Sequence, residues 1–161
     1  KRQVYTYNGK VQSPSVIVKD SEGKSLRNGT DYTVTVPKGR KEIGSYTYTI
    51  KFKGNYAGIV TRSMVINPKA TTLSKVKGYK KYFIAKWKKY NVKNTGYELQ
   101  YSTNARFTSG TKTKAVKSYK TVSLKVKTAK KKYYVRIRTY KRVGGKNYYS
   151  AWSKARTVKV K

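Results

Sequence analysis

The sequence predicts an all-β chain built as two tandem β-sandwiches, and three observations carry that reading. Short runs rich in Val, Ile, Thr and Tyr alternate apolar and polar residues with a period of two. Gly and Asn punctuate these runs at short intervals, and helical periodicity is hard to find. "NPKATT" (67–72) then divides the chain, because Pro68 cannot donate a ladder hydrogen bond and a new set of strands begins beyond it. The expected domains are 1–68 and 69–161, with no helix beyond a turn or two.

In the first half, strands are expected at 14–20 ("PSVIVKD"), 31–36 ("DYTVTV"), 44–52 ("GSYTYTIKF") and 58–66 ("GIVTRSMVI"). "DSEGK" and "RNGTD" are the turns between them, Asn28-Gly29 supplying the positive φ that a tight turn needs. Only a fragment precedes Tyr7-Asn8-Gly9, so this domain reads as starting partway in, its first strand missing or truncated.

The second half offers strands at 72–79, 82–88, 96–102, 113–119, 121–127, 131–140 and 148–160. That is the strand count of an immunoglobulin-type sandwich. Phe83, Ala85 and Trp87 share one face, as do Tyr97, Leu99 and Tyr101. Val122, Leu124 and Val126, with Tyr133, Val135 and Ile137, complete an apolar inner layer in which Trp87 is the large filler. The last strand breaks parity: Trp152 and Val158 cannot both keep their expected faces without a bulge between them.

Composition narrows the function. Cys and His are absent, which removes thiol chemistry, disulfides, histidine bases and thiolate or imidazole metal sites. The five carboxylates are Asp20, Glu22, Asp31, Glu42 and Glu98, and no two form an obvious catalytic pair. No enzyme activity, cofactor or metal is therefore expected. No apolar run approaches the ~20 residues that cross a bilayer. Without an initiator Met or a signal peptide, the chain reads as a mature fragment or an excised part of a longer one.

Charge is the dominant signal. The net charge is +35, from 40 Lys/Arg against 5 Asp/Glu. Residues 1–69 hold 13 basic and 4 acidic residues (+9), and residues 70–161 hold 27 and 1 (+26). Solubility needs only ~2–8 net charges. Self-repulsion on this scale costs stability unless salt or an anionic partner screens it.

The order of an inner Trp on the second strand, "GYELQYS" on the third and "KYYVRIR" leading into the sixth resembles a fibronectin type III domain over roughly 70–161. It is most similar to the Lys/Tyr-rich versions in surface or secreted proteins of Gram-positive anaerobes. Residues 1–68, with "GTDYTV", "IGSYTYTIKFKGNYAG" and a closing "INP", resemble the bacterial immunoglobulin-like repeat that often precedes such domains. The resemblance implies an extracellular, secreted or wall-associated monomer. It also implies that Tyr133 is a tyrosine corner, its hydroxyl reaching back to the preceding loop backbone. "YSAWS" (149–153) resembles the Trp-Ser-x-Trp-Ser box of cytokine-receptor fibronectin modules, with Tyr149 replacing the first Trp. On that resemblance Arg136 and Arg138, facing outward beside Tyr134 and Tyr140, would interleave with Tyr149 and Trp152. Each such stack is worth about 0.5–2 kcal/mol.

The lysines have no such structural employment. Lys130, Lys131, Lys132, Lys141, Arg142 and Lys146 are expected at the loop ends of the sixth and seventh strands, and Lys80, Lys81, Lys86, Lys88 and Lys89 around the second. Any one lysine is explained by protection of exposed strands, but a +26 module is not. The expected binding residues are Lys130, Lys131, Lys132, Lys141, Arg142, Lys146, Lys80, Lys81, Lys88 and Lys89, and the expected partner an anionic polymer: wall polymer, acidic glycan or extracellular DNA. The alternative is a secreted effector docking on a host surface protein, although no Arg-Gly-Asp or other receptor signature occurs. An intracellular nucleic-acid binder would want a recognisable motif, and none is present. "KDSEGK" (19–24) reads as a hairpin turn rather than a calcium loop. Asn28-Gly29-Thr30 matches a glycosylation sequon but reads as turn chemistry, and Glu98 is expected to face outward beside a Lys or Arg.

Overall fold

The computed structural model describes residues 2–161, which form strands, turns and extended connections with no helix among them. The chain divides into two compact units, one ending at Asn67 and the next beginning at Pro68.

In the first unit, β1 (Gln3–Thr6), β2 (Tyr32–Thr35), β3 (Gly44–Phe52) and β4 (Ile59–Asn67) make one sheet in the order β1-β4-β3-β2. The long β3–β4 pair is antiparallel and aligns Tyr46 with Met64. β1 adds to β4 in parallel, a strand standing where the sequence suggested a missing or truncated one. Alternate residues, among them Tyr48, Ile50, Met64 and Ile66, give the sheet an apolar face, against which Val16, Val18 and Leu26 pack.

The expected strand at 14–20 does not form a ladder. Its alternation is genuine, since Val16 and Val18 face the core while Ile17 is 81% exposed. A side chain takes the place of a neighbouring strand: Gln3 Oε1 accepts from the Ser15 amide at 2.9 Å, and its Nε2 donates to the Ser15 carbonyl. The segment ends in the expected "KDSEGK" turn. There the Asp20 carboxylate accepts from the amides of Glu22 and Lys24, which accounts for its acidity without an ion.

The second unit is a two-sheet sandwich. β5 (Leu73–Tyr79), β6 (Tyr82–Trp87) and β9 (Ser123–Lys127) form the smaller sheet. The larger runs β8 (Lys112–Val116), β7 (Thr95–Ser102) and β10 (Lys132–Val143), with both β11 (Lys146–Tyr149) and β12 (Arg156–Lys159) on the far edge of β10. Leu73, Phe83, Ala85, Trp87 and Val126 meet Tyr97, Leu99, Tyr101, Tyr133, Val135 and Ile137 between the sheets. Their rings pack edge to face or tilted, Phe83 5.5 Å from Tyr101 and Trp87 5.3 Å from Tyr97. Val122, expected in this layer, is instead exposed. It precedes β9 beside the turn closed by Thr121 N and Ser118 O, and only its carbonyl stays in register, accepting from Trp87 N.

The strand expected over 148–160 is two strands with a break, where a single bulge was anticipated. Two serines span it. Ser150 Oγ accepts from the Thr139 amide at 3.0 Å and Ser153 Oγ from the Ile137 amide at 3.1 Å, while their own amides donate to the carbonyls of Thr139 and Ile137. The hydroxyls thus stand in for missing backbone acceptors, and the break lets Trp152 face outward while Val158 is buried in the core.

The last residues are tied to both sheets. Val160 N donates to the Lys131 carbonyl and Lys161 N to the Tyr79 carbonyl, while Lys81 N donates to the Lys161 carbonyl. β5 and β12 approach so closely that a methyl group at Gly78 would lie 1.9 Å from the Lys159 carbonyl oxygen.

Burial raises the Tyr97 and Tyr101 hydroxyls above their ordinary pKa of 10.0, and burial followed by the Glu98 charge does the same to Tyr140. As pH climbs past about 10, the unfolded chain releases these protons before the folded one does. The stability they contribute is therefore complete below pH 10 and is lost as pH rises through the folded values. A melting series from about pH 8 to about pH 11, read as the difference between the parent and a Tyr140→Phe variant so that the loss of lysine charge over the same range cancels, should show the parent's midpoint falling relative to the variant only above about pH 10. A flat difference across that range would contradict the raised value of Tyr140.

Candidate functional site

Antiparallel pairing of β10 with β7 sets Arg136 beside Gln100 and Arg138 beside Glu98. Arg138 donates through Nε and Nη2 to Glu98 Oε2 at 2.9 and 2.6 Å, and Arg136 donates in the same way to Gln100 Oε1 at 2.9 and 2.7 Å. Arg136 lies 4.1 Å from the Phe107 ring centre and 4.6 Å from that of Trp152. Arg138 lies 4.3 Å from Trp152 and 3.7 Å from Tyr149, whose ring in turn tilts against Tyr140 at 6.1 Å. The result is one continuous stack: Phe107, Arg136, Trp152, Arg138, Tyr149, Tyr140. Burial, and then the like charge of Arg138, lowers the pKa of Arg136 below the ordinary guanidinium value.

The stack employs its arginines within the sheet, so they are poorly placed to meet an external anion. Tyr134 is not part of it and carries Lys132, at 5.4 Å, over its ring. Sequence reasoning missed Phe107, Gln100 and the serine hydroxyls. Gln100 could have been found, because it stands two residues from Glu98 and so shares its outward face on the same expected strand. Phe107 lies in a loop with a φ of 58°, and nothing in its neighbourhood signals the contact.

Tyr133 occupies the position the resemblance implied, but its hydroxyl is bonded differently. It accepts from the Thr128 side-chain hydroxyl at 2.7 Å rather than reaching a loop backbone group. Thr128 is itself anchored by its amide to the Lys81 carbonyl, so a side chain suffices to close the corner.

The lysines are regrouped. β10 is 12 residues long, and at about 3.4 Å per residue its ends stand roughly 37 Å apart. Lys130, Lys131 and Lys132 lie at one end, and Lys141, Arg142 and Lys146 at the other, so they do not form one site. Nor are the latter three in a loop: Lys141 and Arg142 belong to β10 itself, and Lys146 faces Val143 across the Gly144-Gly145 turn. β6 divides its lysines likewise, with Lys80 and Lys81 at its start, Lys88 and Lys89 beyond its end, and Lys86 on its outer face. Lys89 lies over the Tyr119 ring at 5.5 Å.

What the fold brings together is the end where the 80–81 turn, the 128–131 loop and the last residues are cross-linked by backbone hydrogen bonds. Lys80, Lys81, Lys130, Lys131 and Lys132 meet there, all exposed, joined by Lys127, Lys159 and Lys161. The single acidic residue of this unit, Glu98, is held by Arg138 on the large sheet. No acidic side chain of the unit neutralises the cluster.

Two facing sheets with a shared apolar layer define the second unit as a β-sandwich. Among solved structures, the chain is similar to the FN1–FN3 domains of chicken CNTN1. The likeness has 16% identity and a TM-score of 0.47, and covers 77% of this chain and 46% of that one. The chain thus spans less than half the length of that structure. No family model and no curated protein matches it.

Proposed function

We propose that this chain is a non-catalytic segment of an exported bacterial protein, a fibronectin type III module preceded by an immunoglobulin-like one. It acts as a spacer or adhesion element that binds polyanions: wall polymer, acidic glycan or extracellular DNA. The observation that carries this reading is the lysine-rich end of the second unit, where eight exposed lysines from three separate segments meet without an acidic side chain among them. Fold alone does not assign a role, but an unneutralised cluster on a rigid sandwich end is an electrostatic site for a flexible anionic chain.

Binding of this kind proceeds by release of counterions and falls steeply with salt. Replacing Lys80, Lys81, Lys130 and Lys131 with Gln should flatten the slope of log affinity against log salt by about 0.7–0.9 per lost contact, with the fold intact. Calorimetric titration with wall polymer, heparin-like glycan and DNA at several salt concentrations measures this. The alternative, docking on a host surface protein, would show as tight, salt-insensitive binding to one protein, and that result would overturn the polyanion reading.

A further inference from the structure

The outer face of the β5–β6–β9 sheet adjoins the lysine-rich sandwich end and is itself basic. Cross-strand pairing places Lys75 beside Lys86, Lys77 beside Ile84, and Tyr79 beside Tyr82, while β9 adds Lys125 opposite Ile84 and Lys127 opposite Tyr82. These five lysines are exposed. At about 4.8 Å between strands and about 6.7 Å between alternate residues of one strand, their stems rise from a regular lattice. Lys127 belongs both to this face and to the lysine-rich end.

The two tyrosines are arranged in an unusual way for a basic surface. Their rings stack on each other, 4.8 Å apart and 11° from parallel. A gap of that size admits no ammonium group. Lys125, 3.9 Å from the Tyr82 ring centre, therefore covers the face of Tyr82 that Tyr79 leaves open. Lys77 lies over the Tyr79 ring at 5.4 Å. The order across the sheet is thus ammonium, ring, ring, ammonium.

Two consequences follow from chemistry. Contact with the ring faces holds two ammonium groups in place, so less side-chain freedom remains to be lost when an anion binds. The same contact occupies the aromatic faces on which a nucleic-acid base would stack. We propose that this face is a preorganised anion platform that takes a linear polymer lacking bases, a sulfated or carboxylated glycan or a polyol phosphate, and reads charge spacing without stacking. The proposal rests on the polyanion reading above and narrows its ligand class.

The test uses the whole chain and four probes at one salt concentration: a heparin-like sulfated glycan, a polyglycerol phosphate, an oligothymidylate, and an abasic oligonucleotide of equal length and charge. The Lys77→Gln, Lys86→Gln, Lys125→Gln variant should lose at least tenfold in affinity for the sulfated glycan or the polyglycerol phosphate, whichever the parent binds more tightly, with its melting midpoint unchanged. The oligothymidylate and the abasic strand should bind within about threefold of each other. A base stacking on an open ring would instead favour the oligothymidylate by roughly five- to 150-fold per base, and that preference would overturn the proposal. So would a variant whose affinity stays within twofold of the parent, although polyanion binding elsewhere on the chain would then still stand. Failure of the parent to bind any of the four would overturn the polyanion reading itself.

Discussion

Replacing Trp87 with alanine is expected to destabilise the second unit by about 3–5 kcal/mol, the usual cost of emptying an aromatic from a packed core. Trp87 is 3% exposed and lies between the sheets, against Tyr97 and within the same cluster as Leu73 and Val126. These neighbours come from different strands, so the space left behind cannot close by the movement of one element. A domain of this size has only about 5–15 kcal/mol in total, and each kcal/mol shifts its melting midpoint by roughly 4–8 °C. The expected fall is thus more than about 12 °C. The chain contains two tryptophans, and the other, Trp152, is also in the second unit. Its fluorescence follows the unfolding of that unit in the variant. A midpoint within a degree or two of the parent would remove Trp87 from the core.

Arg138→Ala should cost about 2–3 kcal/mol while leaving polyanion affinity within about twofold. Three contributions act together. Two ring contacts, to Trp152 and Tyr149, are lost. Glu98, its side chain only 14% exposed, loses the guanidinium that neutralised it. An ion pair fully buried on both sides costs more to break, about 3–5 kcal/mol, and the partial exposure of this one lowers the figure. Glu98→Gln alone, combined with Arg138→Ala in a double-mutant cycle, separates the ion pair from the stacking. If affinity collapses while melting is unchanged, Arg138 belongs to the ligand surface instead.

Much of the second unit was legible because its signals are local. Tyr97, Leu99 and Tyr101 alternate on one strand, and each is buried, as period-two patterning demands. The segment 14–20 shows the limit of that rule. Alternation reports which side chains are buried, not whether a neighbouring backbone is present, and here the partner is the Gln3 side chain. Val122 failed for the related reason that parity does not register where a strand begins.

The stack was half visible. Arg136, Arg138, Tyr149 and Trp152 are close in sequence, whereas Gln100 and Phe107 come from a different strand and loop. The lysines were the least legible. Lys130 and Lys141 look like neighbours in the sequence but are separated by the length of β10, while Lys80 and Lys130 come together because β6 pairs with β9 and the turns beyond that ladder are hydrogen-bonded to each other. Charge density can be read from composition. Its distribution over a surface depends on strand direction and pairing, which no short window contains.

The close approach of β5 and β12 has a mechanical meaning. Gly78 lies beside Lys159 and Tyr79 is bonded to Lys161, so the strand leading away from Pro68 and the strand leading to Lys161 run in the same direction side by side. Tension applied between Pro68 and Lys161 drags them past one another along their length. The β10–β12 ladder and the bonds from Val160 and Lys161 then bear the load together. Unzipping would break such bonds one after another, whereas shear must stretch them all before the first gives way. Resistance to force is governed by the rate of unfolding and not by equilibrium stability, and this arrangement places its hydrogen bonds where they slow that rate most.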